Sequence, residues 1–108
     1  VEMLLDATRQ YSDRLTTERL FSWHSLLFPN GRSGMRKIRV GQWRDDVPDR
    51  MKVVSGPIGK EIVHYIAPEA KKLDREMDAF LKWFNNPDGT DDVLKAATAH
   101  LWFVTIHP

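Results

Sequence analysis

The sequence contains no cysteine, and this absence removes several kinds of chemistry together. Without a thiol there is no disulfide framework, no thiolate zinc site and no cysteine nucleophile. The absence fits a reducing compartment, and we therefore expect a cytoplasmic protein. The sequence also lacks any apolar run close to the roughly 20 residues that span a bilayer, and its first residues include acids instead of a cationic leader. No membrane partner is expected.

An excess of charge and a long chain are absent as well. The 16 lysines and arginines against 15 aspartates and glutamates leave a formal net charge of +1. Such a balance gives no general attraction to nucleic acid or anionic lipid, so any basic footprint is local. The 108 residues suffice for one modest hydrophobic core. We therefore predict a single domain without a nucleic-acid partner.

Hydrophobic periodicity indicates a mainly α-helical fold. Apolar residues recur at helical spacing in four segments, and clusters of glycine and proline separate them. Thr16 or Thr17 is suited to cap the second helix, and Asp91 or Asp92 the fourth. The predicted helices span residues 2–14, 17–28, 68–86 and 92–106.

Two β-leaning runs between the second and third helices predict a single β-hairpin over residues 51–66. The runs 51–55 and 60–66 are rich in Val, Ile and Tyr, and Gly56-Pro57-Ile58-Gly59 between them suits a tight reversal. Residues 31–43 are broken by glycines and predict only a loop with weak strand character. A lone two-stranded ribbon is marginal in water, so this one leans on the helices or serves something that docks on it.

The fourth helix differs from the others because its apolar residues lie on every side. Ten of its 14 residues from 93 to 106 are apolar, which is the pattern of a helix buried all round. Three other helices and a ribbon are too few to cover it. We therefore expect the sequence to be a fragment of a longer protein, in which further chain packs on this helix.

The four histidines do not have the spacing of a metal site. His100 and His107 lie seven residues apart on one helix, and therefore about 10 Å apart along its axis. His24 lies in an apolar stripe and His64 alternates within a strand, which favours structural roles. Asp45-Asp46 either holds a divalent ion or forms a turn, and a turn is the commoner use of an isolated acidic pair. We predict no metal site.

One short stretch concentrates positive charge. Five cations and no acid occur between residues 31 and 44, and aspartates follow. Contact with phosphates is one interpretation of this stretch. A solvated face with local ion pairs is favoured, because neither a recognition helix nor regularly spaced stacking aromatics accompany it. The cations are Arg32, Arg36, Lys37, Arg39 and Arg44.

The pair His107-Pro108 ends the apolar fourth helix. Because Pro108 biases the preceding residue away from helical geometry, the pair brings an imidazole to the point where the chain leaves the helix. An imidazole with a pKa near neutrality suits a general base. A histidine that only interacts with the helix dipole gives the same pattern. His107 is therefore the candidate catalytic residue.

The sequence resembles the Fic family, whose motif is a helix ending in His-Pro-Phe, then a variable residue, an acid, Gly-Asn-Gly and Arg. Only the first two letters, His107 and Pro108, are present. The similarity nevertheless extends over roughly residues 16–108, after a preceding helix within 1–15. The matching segments follow the family order: Leu20-Phe21-Ser22-Trp23-His24-Ser25-Leu26-Leu27-Phe28-Pro29, Gly41-Gln42-Trp43-Arg44, Val53-Val54-Ser55-Gly56-Pro57, His64-Tyr65-Ile66-Ala67-Pro68 and Met77-Asp78-Ala79-Phe80-Leu81-Lys82-Trp83-Phe84-Asn85.

The resemblance implies a truncated Fic-like helical core with a β-hairpin flap over residues 51–66. It implies an enzyme that transfers AMP from ATP to a hydroxyl side chain of a target protein, with ATP and Mg²⁺ serving the full-length enzyme. His107 would then be the general base. The flap would pair its main chain with a segment of the target. The flap residues in question are Val53, Val54, Ser55, Gly56, Lys60, Glu61, Ile62 and Val63.

The sequence departs from the family pattern after Pro108. It contains no glycine-rich anion-binding turn, no acid for Mg²⁺ and no final arginine, so we expect no cofactor-binding residue here and no activity from these residues alone. The inhibitory Ser/Thr-x-x-x-Glu helix of many members is also not found, and any such partner would lie outside this sequence. Two alternatives stay open. One is a non-catalytic module that docks an extended peptide on its hairpin, and the other is Fic-type transfer or removal of another phosphate-containing group.

Overall fold

The computed structural model describes all residues, Val1–Pro108, and contains four α-helices and two β-hairpins. The predicted mainly helical fold with a β-hairpin is confirmed. The chain forms an N-terminal unit (Val1–Trp43) and a C-terminal unit (Arg44–Pro108). None of the helices combines the length and the apolar character needed to cross a membrane. The elements are α1 (Glu2–Arg9), α2 (Thr17–Leu27), β1 (Arg32–Ser33), β2 (Arg36–Lys37), β3 (Lys52–Ser55), β4 (Ile62–Ile66), a 3-10 turn (Ala70–Lys72), α3 (Leu73–Asn85) and α4 (Asp92–Ile106).

Helix α1 ends at Arg9, well before the predicted end at residue 14. The helix buries no side chain, so no packing favours its extension into Asp13, a residue type that competes with helical backbone hydrogen bonds. The Arg19 guanidinium instead donates to the carbonyl oxygens of Gln10 at 2.9 Å and Asp13 at 3.2 Å. Carbonyl groups just after α1 are therefore paired with a side chain of α2.

The N-terminal unit is held together mainly by a polar cluster between α1 and α2. Asp6 Oδ2 accepts hydrogen bonds from Arg19 Nε at 2.9 Å and from Trp23 Nε1 at 2.6 Å. Helix α2 begins at the predicted cap Thr16, whose hydroxyl accepts from the Arg19 amide at 3.2 Å. Leu15 is the only buried apolar side chain in this unit. Polar contacts, not an apolar core, therefore join its helices.

Residues 32–37 form a hairpin that the sequence did not predict. Strands β1 and β2 pair antiparallel with Arg32 opposite Lys37, so the prediction of a single hairpin in the chain was wrong. The two-residue loop between them starts with Gly34 at φ 59°, a conformation that glycine adopts readily. Strands of two exposed residues carry no alternating apolar pattern, and periodicity therefore cannot reveal them.

The hydrophobic core of the C-terminal unit lies between α3 and α4. Helix α3 occupies most of the predicted range 68–86 and buries Leu73, Met77 and Phe80 on one face, at the spacing that the sequence predicted. The Phe80 ring lies 5.5 Å from the Trp102 ring and 5.9 Å from the Phe103 ring, measured between centroids. The core therefore consists largely of aromatic contacts between the two helices.

Helix α4 spans the predicted range, and its N-cap is the predicted Asp91, whose carboxylate accepts from the Val93 amide at 3.0 Å. As expected, the other elements of these 108 residues do not cover it on every side. Only Ala99 and Ile106 are buried, whereas Val93 is 76% exposed and Leu101 is 66% exposed. Helix α3 covers one face, and apolar side chains on the other faces contact solvent.

Candidate functional site

The C-terminal end of α4 carries the candidate base. His107 is the C-cap residue, with φ 54° and ψ 53°, and it is the only non-glycine residue with a positive φ. Its amide donates to Phe103 O at 3.1 Å, so helical hydrogen bonding reaches His107 before the chain turns away. The chain thus leaves the helix at His107, the position that the following Pro108 predicts. A left-handed conformation costs a residue with a Cβ roughly 1–2 kcal/mol, so other contacts must stabilise it.

Arg44 donates hydrogen bonds to the backbone on both sides of His107. Its Nε donates to His107 O at 2.6 Å, and its Nη2 donates to Ile106 O at 3.2 Å and to Pro68 O. The Arg44 amide donates to Pro108 O at 2.8 Å. The last carbonyl groups of a helix have no partner within the helix. Arg44 supplies donors for three consecutive carbonyls at this end.

Arg44 lies in the connection between β2 and β3, which contains no helix or strand; we call residues 44–50 of this connection the strap. Asp46 Oδ1 accepts from the Ala70 amide at 2.8 Å, at the start of the 3-10 turn before α3. Arg50 Nη1 donates to Ala67 O at 3.1 Å, directly after β4. The strap therefore links the end of the second hairpin, the start of α3 and the end of α4.

The flap predicted over residues 51–66 is the antiparallel hairpin β3–β4, with an irregularity in register between Val53 and Val54. Every residue from Lys52 to Ile66 is exposed. Each strand pairs on one side only, so both outer edges present backbone donors and acceptors. Of the predicted target-binding residues, the strands contain Val53, Val54 and Ser55 on β3 and Ile62 and Val63 on β4.

The loop at the tip of the flap is longer than predicted. Strand β4 starts only at Ile62, so Lys60 and Glu61, which were predicted in a strand, lie in the loop. Glu61 Oε1 accepts from the Gly59 amide at 2.9 Å, and this local bond competes with strand pairing. Gly56 has a φ of 101°, and a Cβ there would meet Lys60 O at 3.0 Å. The tip therefore depends on a glycine at position 56.

The other histidines have contacts or positions that fit structural roles. His24 Nδ1 accepts from the Gly41 amide at 3.1 Å. On the flap, His64 Nε2 lies 2.6 Å from Ser55 Oγ, and this pair joins the two strands. His100 is exposed on α4. These contacts agree with the structural roles predicted for the first two.

The electrostatics at the end of α4 favour a neutral imidazole. Partial burial lowers the pKa of His107 below the ordinary histidine value, and the charge of Arg44 lowers the same pKa further. His107 still exposes a large part of its surface to solvent. A lowered pKa keeps the imidazole neutral at pH 7, which is the form that accepts a proton. Geometry, exposure and protonation state therefore all suit a general base.

The model of the Fic/DOC family matches residues 14–108, which include α2, the flap, the strap and His107. The chain belongs to the Fic/DOC family. AMPylation or a related transfer is the typical activity of such domains, and membership indicates an enzyme of the Fic kind. No curated protein matches the chain.

In this Fic domain the sequence predicts His107 as the candidate base and residues 51–66 as the flap, but it does not predict the contacts of Arg44. The sequence predicts Arg44 as one of five cations on a solvated face, whereas its side chain binds carbonyl oxygens 24, 62 and 63 residues away. No local pattern reports contacts over such separations. The segment Gly41-Gln42-Trp43-Arg44, which follows the family order, was the one available signal.

No three His, Cys, Asp and Glu side chains of this Fic domain lie close enough together to hold a metal ion jointly. Asp46, one of the acidic pair, accepts a backbone hydrogen bond from Ala70, which fits the turn interpretation. The candidate groups for such chemistry are the imidazole of His107 and the edges of the flap.

Proposed function

We propose that these residues form the base-and-flap part of a Fic-type adenylyltransferase, which transfers AMP from ATP to a hydroxyl side chain of a target protein. The observation that carries this proposal is His107, an exposed imidazole at the left-handed end of α4 with a lowered pKa. Membership of the Fic/DOC family supports the class of reaction.

In the proposed reaction, the hydroxyl oxygen of the target attacks the α-phosphorus of ATP. The new bond joins this oxygen to phosphorus, the bond from the α-phosphorus to the bridging oxygen breaks, and pyrophosphate leaves. His107 accepts the hydroxyl proton, which a neutral imidazole does well near pH 7. The chain's own part in this reaction is thus to remove one proton.

The flap has the features needed to hold the segment of the target that carries the hydroxyl. Its strands are exposed and each has one free edge, so an extended segment can add to it as a further strand. We propose that residues of both strands and of the tip contact the target. They are Val53, Val54, Ser55, Gly56, Lys60, Glu61, Ile62 and Val63.

ATP and Mg²⁺ serve the full-length enzyme in this proposal and are not held by the 108 residues alone. Tight phosphate binding needs several backbone donors or cations arranged around the anion. The 108-residue chain is accordingly expected to transfer no AMP and to bind ATP only weakly.

The test compares the 108-residue chain with the product of the longest open reading frame that contains it. Incorporation of labelled AMP into a target and nucleotide titration are measured on both proteins. In an active product, His107→Ala should lower transfer by about 10²–10⁴-fold, the usual contribution of a general base, and leave ATP affinity nearly unchanged. His100→Ala is the matched control, because His100 is an exposed histidine on the same helix. Near-normal transfer by the His107 variant would contradict the proposal.

A second experiment tests the flap in the same active protein. Successive backbone N–H groups of an antiparallel strand point alternately toward the partner strand and toward the free edge. Proline has no N–H, so a proline at Ile62 or at Val63 removes one donor of β4. At one of these two positions the lost N–H faces β3, and at the other it faces the free edge. The position that faces the free edge should lose target modification and keep ATP binding. Ile58→Pro in the exposed tip is the control. Equal loss of both properties, or no loss, would count against target docking on the flap.

The exposed flap also supports a second candidate function, a non-catalytic module that docks an extended peptide. In that case the 108-residue chain forms a complex with the peptide without ATP, and the product of the longer reading frame transfers no AMP. A peptide complex accompanied by transfer would instead favour the enzyme.

A further inference from the structure

The conformation of His107 needs support from outside its own helix. A left-handed residue with a Cβ is unfavourable, and His107 is the only such residue in the chain. The hydrogen bond from the His107 amide to Phe103 O constrains only the part of the residue that continues α4. The side toward Pro108 has no helical partner.

Two peptide planes determine the backbone geometry of His107. The plane before the residue carries the Ile106 oxygen and the plane after it carries the His107 oxygen, so the relative orientation of the two planes sets φ and ψ. The Arg44 guanidinium donates to both oxygens, at 3.2 Å and 2.6 Å. One rigid group therefore constrains both dihedral angles.

We propose that Arg44 is the positioning residue of His107: by binding the carbonyls on both sides of it, the guanidinium holds the left-handed conformation that presents the imidazole at the end of α4. The use of that imidazole as a base rests on the proposed function. The positioning does not.

The guanidinium is itself held in place by contacts outside α4. Its Nη2 also donates to Pro68 O, and the Arg44 amide donates to Pro108 O at 2.8 Å. Its Nη1 is buried without a hydrogen-bond partner, so the other donors determine where the group lies. A lysine ammonium is a single point and cannot reproduce the planar fork that reaches these carbonyls together.

The neighbouring Tyr65 supports the same end of the helix. Its hydroxyl donates to Thr105 O at 3.1 Å, so carbonyls 105 to 108 all receive a donor from Tyr65 or Arg44. Tyr65 lies on β4, and the strap carries Arg44. The turn at His107 is thus constrained by groups distant in sequence.

The charges around this site are few and can be named. Arg44 is the charged group that acts on His107, and its effect is to lower the histidine pKa. Arg44 in turn interacts with Asp46, Arg50 and Tyr65. Removal of the Arg44 charge should therefore raise the pKa of His107.

The test uses NMR on the 108-residue chain with Arg44→Met, Arg44→Lys and the control Arg50→Met. In the Arg44→Met protein we expect the backbone shifts of His107 to move toward random-coil values, its amide to exchange roughly tenfold or more faster, and its imidazole to titrate at higher pH. Amides in the middle of α4 should stay protected. Arg50 also donates a guanidinium bond to a carbonyl of this unit, Ala67 O, and its variant should leave the His107 signals unchanged.

The Arg44→Lys variant retains the positive charge and most of the aliphatic part of the side chain. It can therefore decide the test if the Arg44→Met protein does not fold. It should displace the His107 backbone shifts while changing the imidazole pKa less than the methionine variant does. Unchanged His107 backbone shifts and amide exchange in a folded Arg44 variant would overturn the positioning role. These signals do not depend on catalysis, so a failure of the proposed function, seen as normal transfer by His107→Ala, is distinguishable from a failure of this inference.

Discussion

Both units of the chain contain an arginine that binds several backbone carbonyls, yet the two arginines have different structural roles. In the N-terminal unit, Arg19 donates to the carbonyls of Asp6, Gln10 and Asp13 and also binds the Asp6 carboxylate. In the C-terminal unit, the Arg44 side chain donates to carbonyl oxygens at the end of α4 and at Pro68. The hydrogen-bonding chemistry is the same, and the surroundings differ.

The difference lies in what else stabilises each unit. The N-terminal unit buries only Leu15, so the Arg19 cluster is a main source of its structure. The C-terminal unit has an aromatic and aliphatic core, so Arg44 can set geometry without being the chief source of stability. The same contact pattern thus supports the fold in the N-terminal unit and, as we propose, positions the candidate base in the C-terminal unit. The buried side chains of the C-terminal unit are Ala67, Leu73, Met77, Phe80, Ala99 and Ile106.

The largest expected effect tests the apolar core. Phe80 is 3% exposed and contacts rings on both α3 and α4, so Phe80→Ala should destabilise the C-terminal unit by about 3–5 kcal/mol. Urea unfolding followed by tryptophan fluorescence measures the loss. Phe21 makes an edge contact with Trp43 at 4.5 Å but is only half-buried, and Phe21→Ala should cost less. Equal losses of unfolding free energy in the two variants would contradict the inference that only the C-terminal unit depends on an apolar core.

A smaller effect of opposite sign is expected at His107. Glycine removes the free-energy cost of the left-handed conformation, about 1–2 kcal/mol. Because glycine also raises the conformational entropy of the unfolded chain, about 0.4–1 kcal/mol of this stabilisation is lost again. His107→Gly should therefore stabilise the C-terminal unit by roughly 0.5–1 kcal/mol, measured as a higher Tm. His107→Ala keeps the Cβ and should give no such gain. A glycine variant less stable than the alanine variant would indicate that the imidazole itself stabilises the fold.

The smallest effects are expected from acid, and they separate the units by pH. Hydrogen bonds from Arg19 and then Trp23 lower the pKa of Asp6 below 3.8, so its contribution is present above about pH 3.8 and is lost as pH falls through the folded value. His107 also has a lowered pKa, from an ordinary 6.5, so the folded state disfavours its protonation. The contribution of His107 to the free energy of unfolding is therefore present above about pH 6.5 and is lost as pH falls below that value. This loss occurs at a higher pH than the loss of the Asp6 contribution.

Urea midpoints measured at a series of pH values check both windows. Asp6→Asn should weaken the N-terminal unit at neutral pH and remove its share of the loss in acid, while His107→Gln should flatten the curve of the C-terminal unit below pH 6.5. Asp13→Asn is the control for Asp6, because Arg19 binds the backbone carbonyl of Asp13. Similar acid profiles for Asp6→Asn and the unmodified chain would remove Asp6 from the explanation.

Features that depend on neighbours along the chain could be predicted from the sequence. The face of α3 that buries Leu73, Met77 and Phe80 follows helical spacing, and the caps Thr16 and Asp91 act within one turn of their helices. The end of α4 at His107 follows from the next residue, Pro108, which disfavours helix before it. These signals are local because the backbone geometry that causes them spans only a few residues.

Features that depend on distant partners were decided only by the tertiary structure. The carbonyl of Gln10 just after α1 accepts a hydrogen bond from Arg19 of the next helix, and the strands at 32–37 are too short to carry a periodic pattern. The left-handed turn at His107 is held by Arg44, 63 residues earlier in the chain. A helix end exposes several unpaired carbonyl groups, and the sequence around it does not state which donor will reach them. Folding brings that donor into place, and the position of the candidate base therefore depends on the tertiary structure of the C-terminal unit.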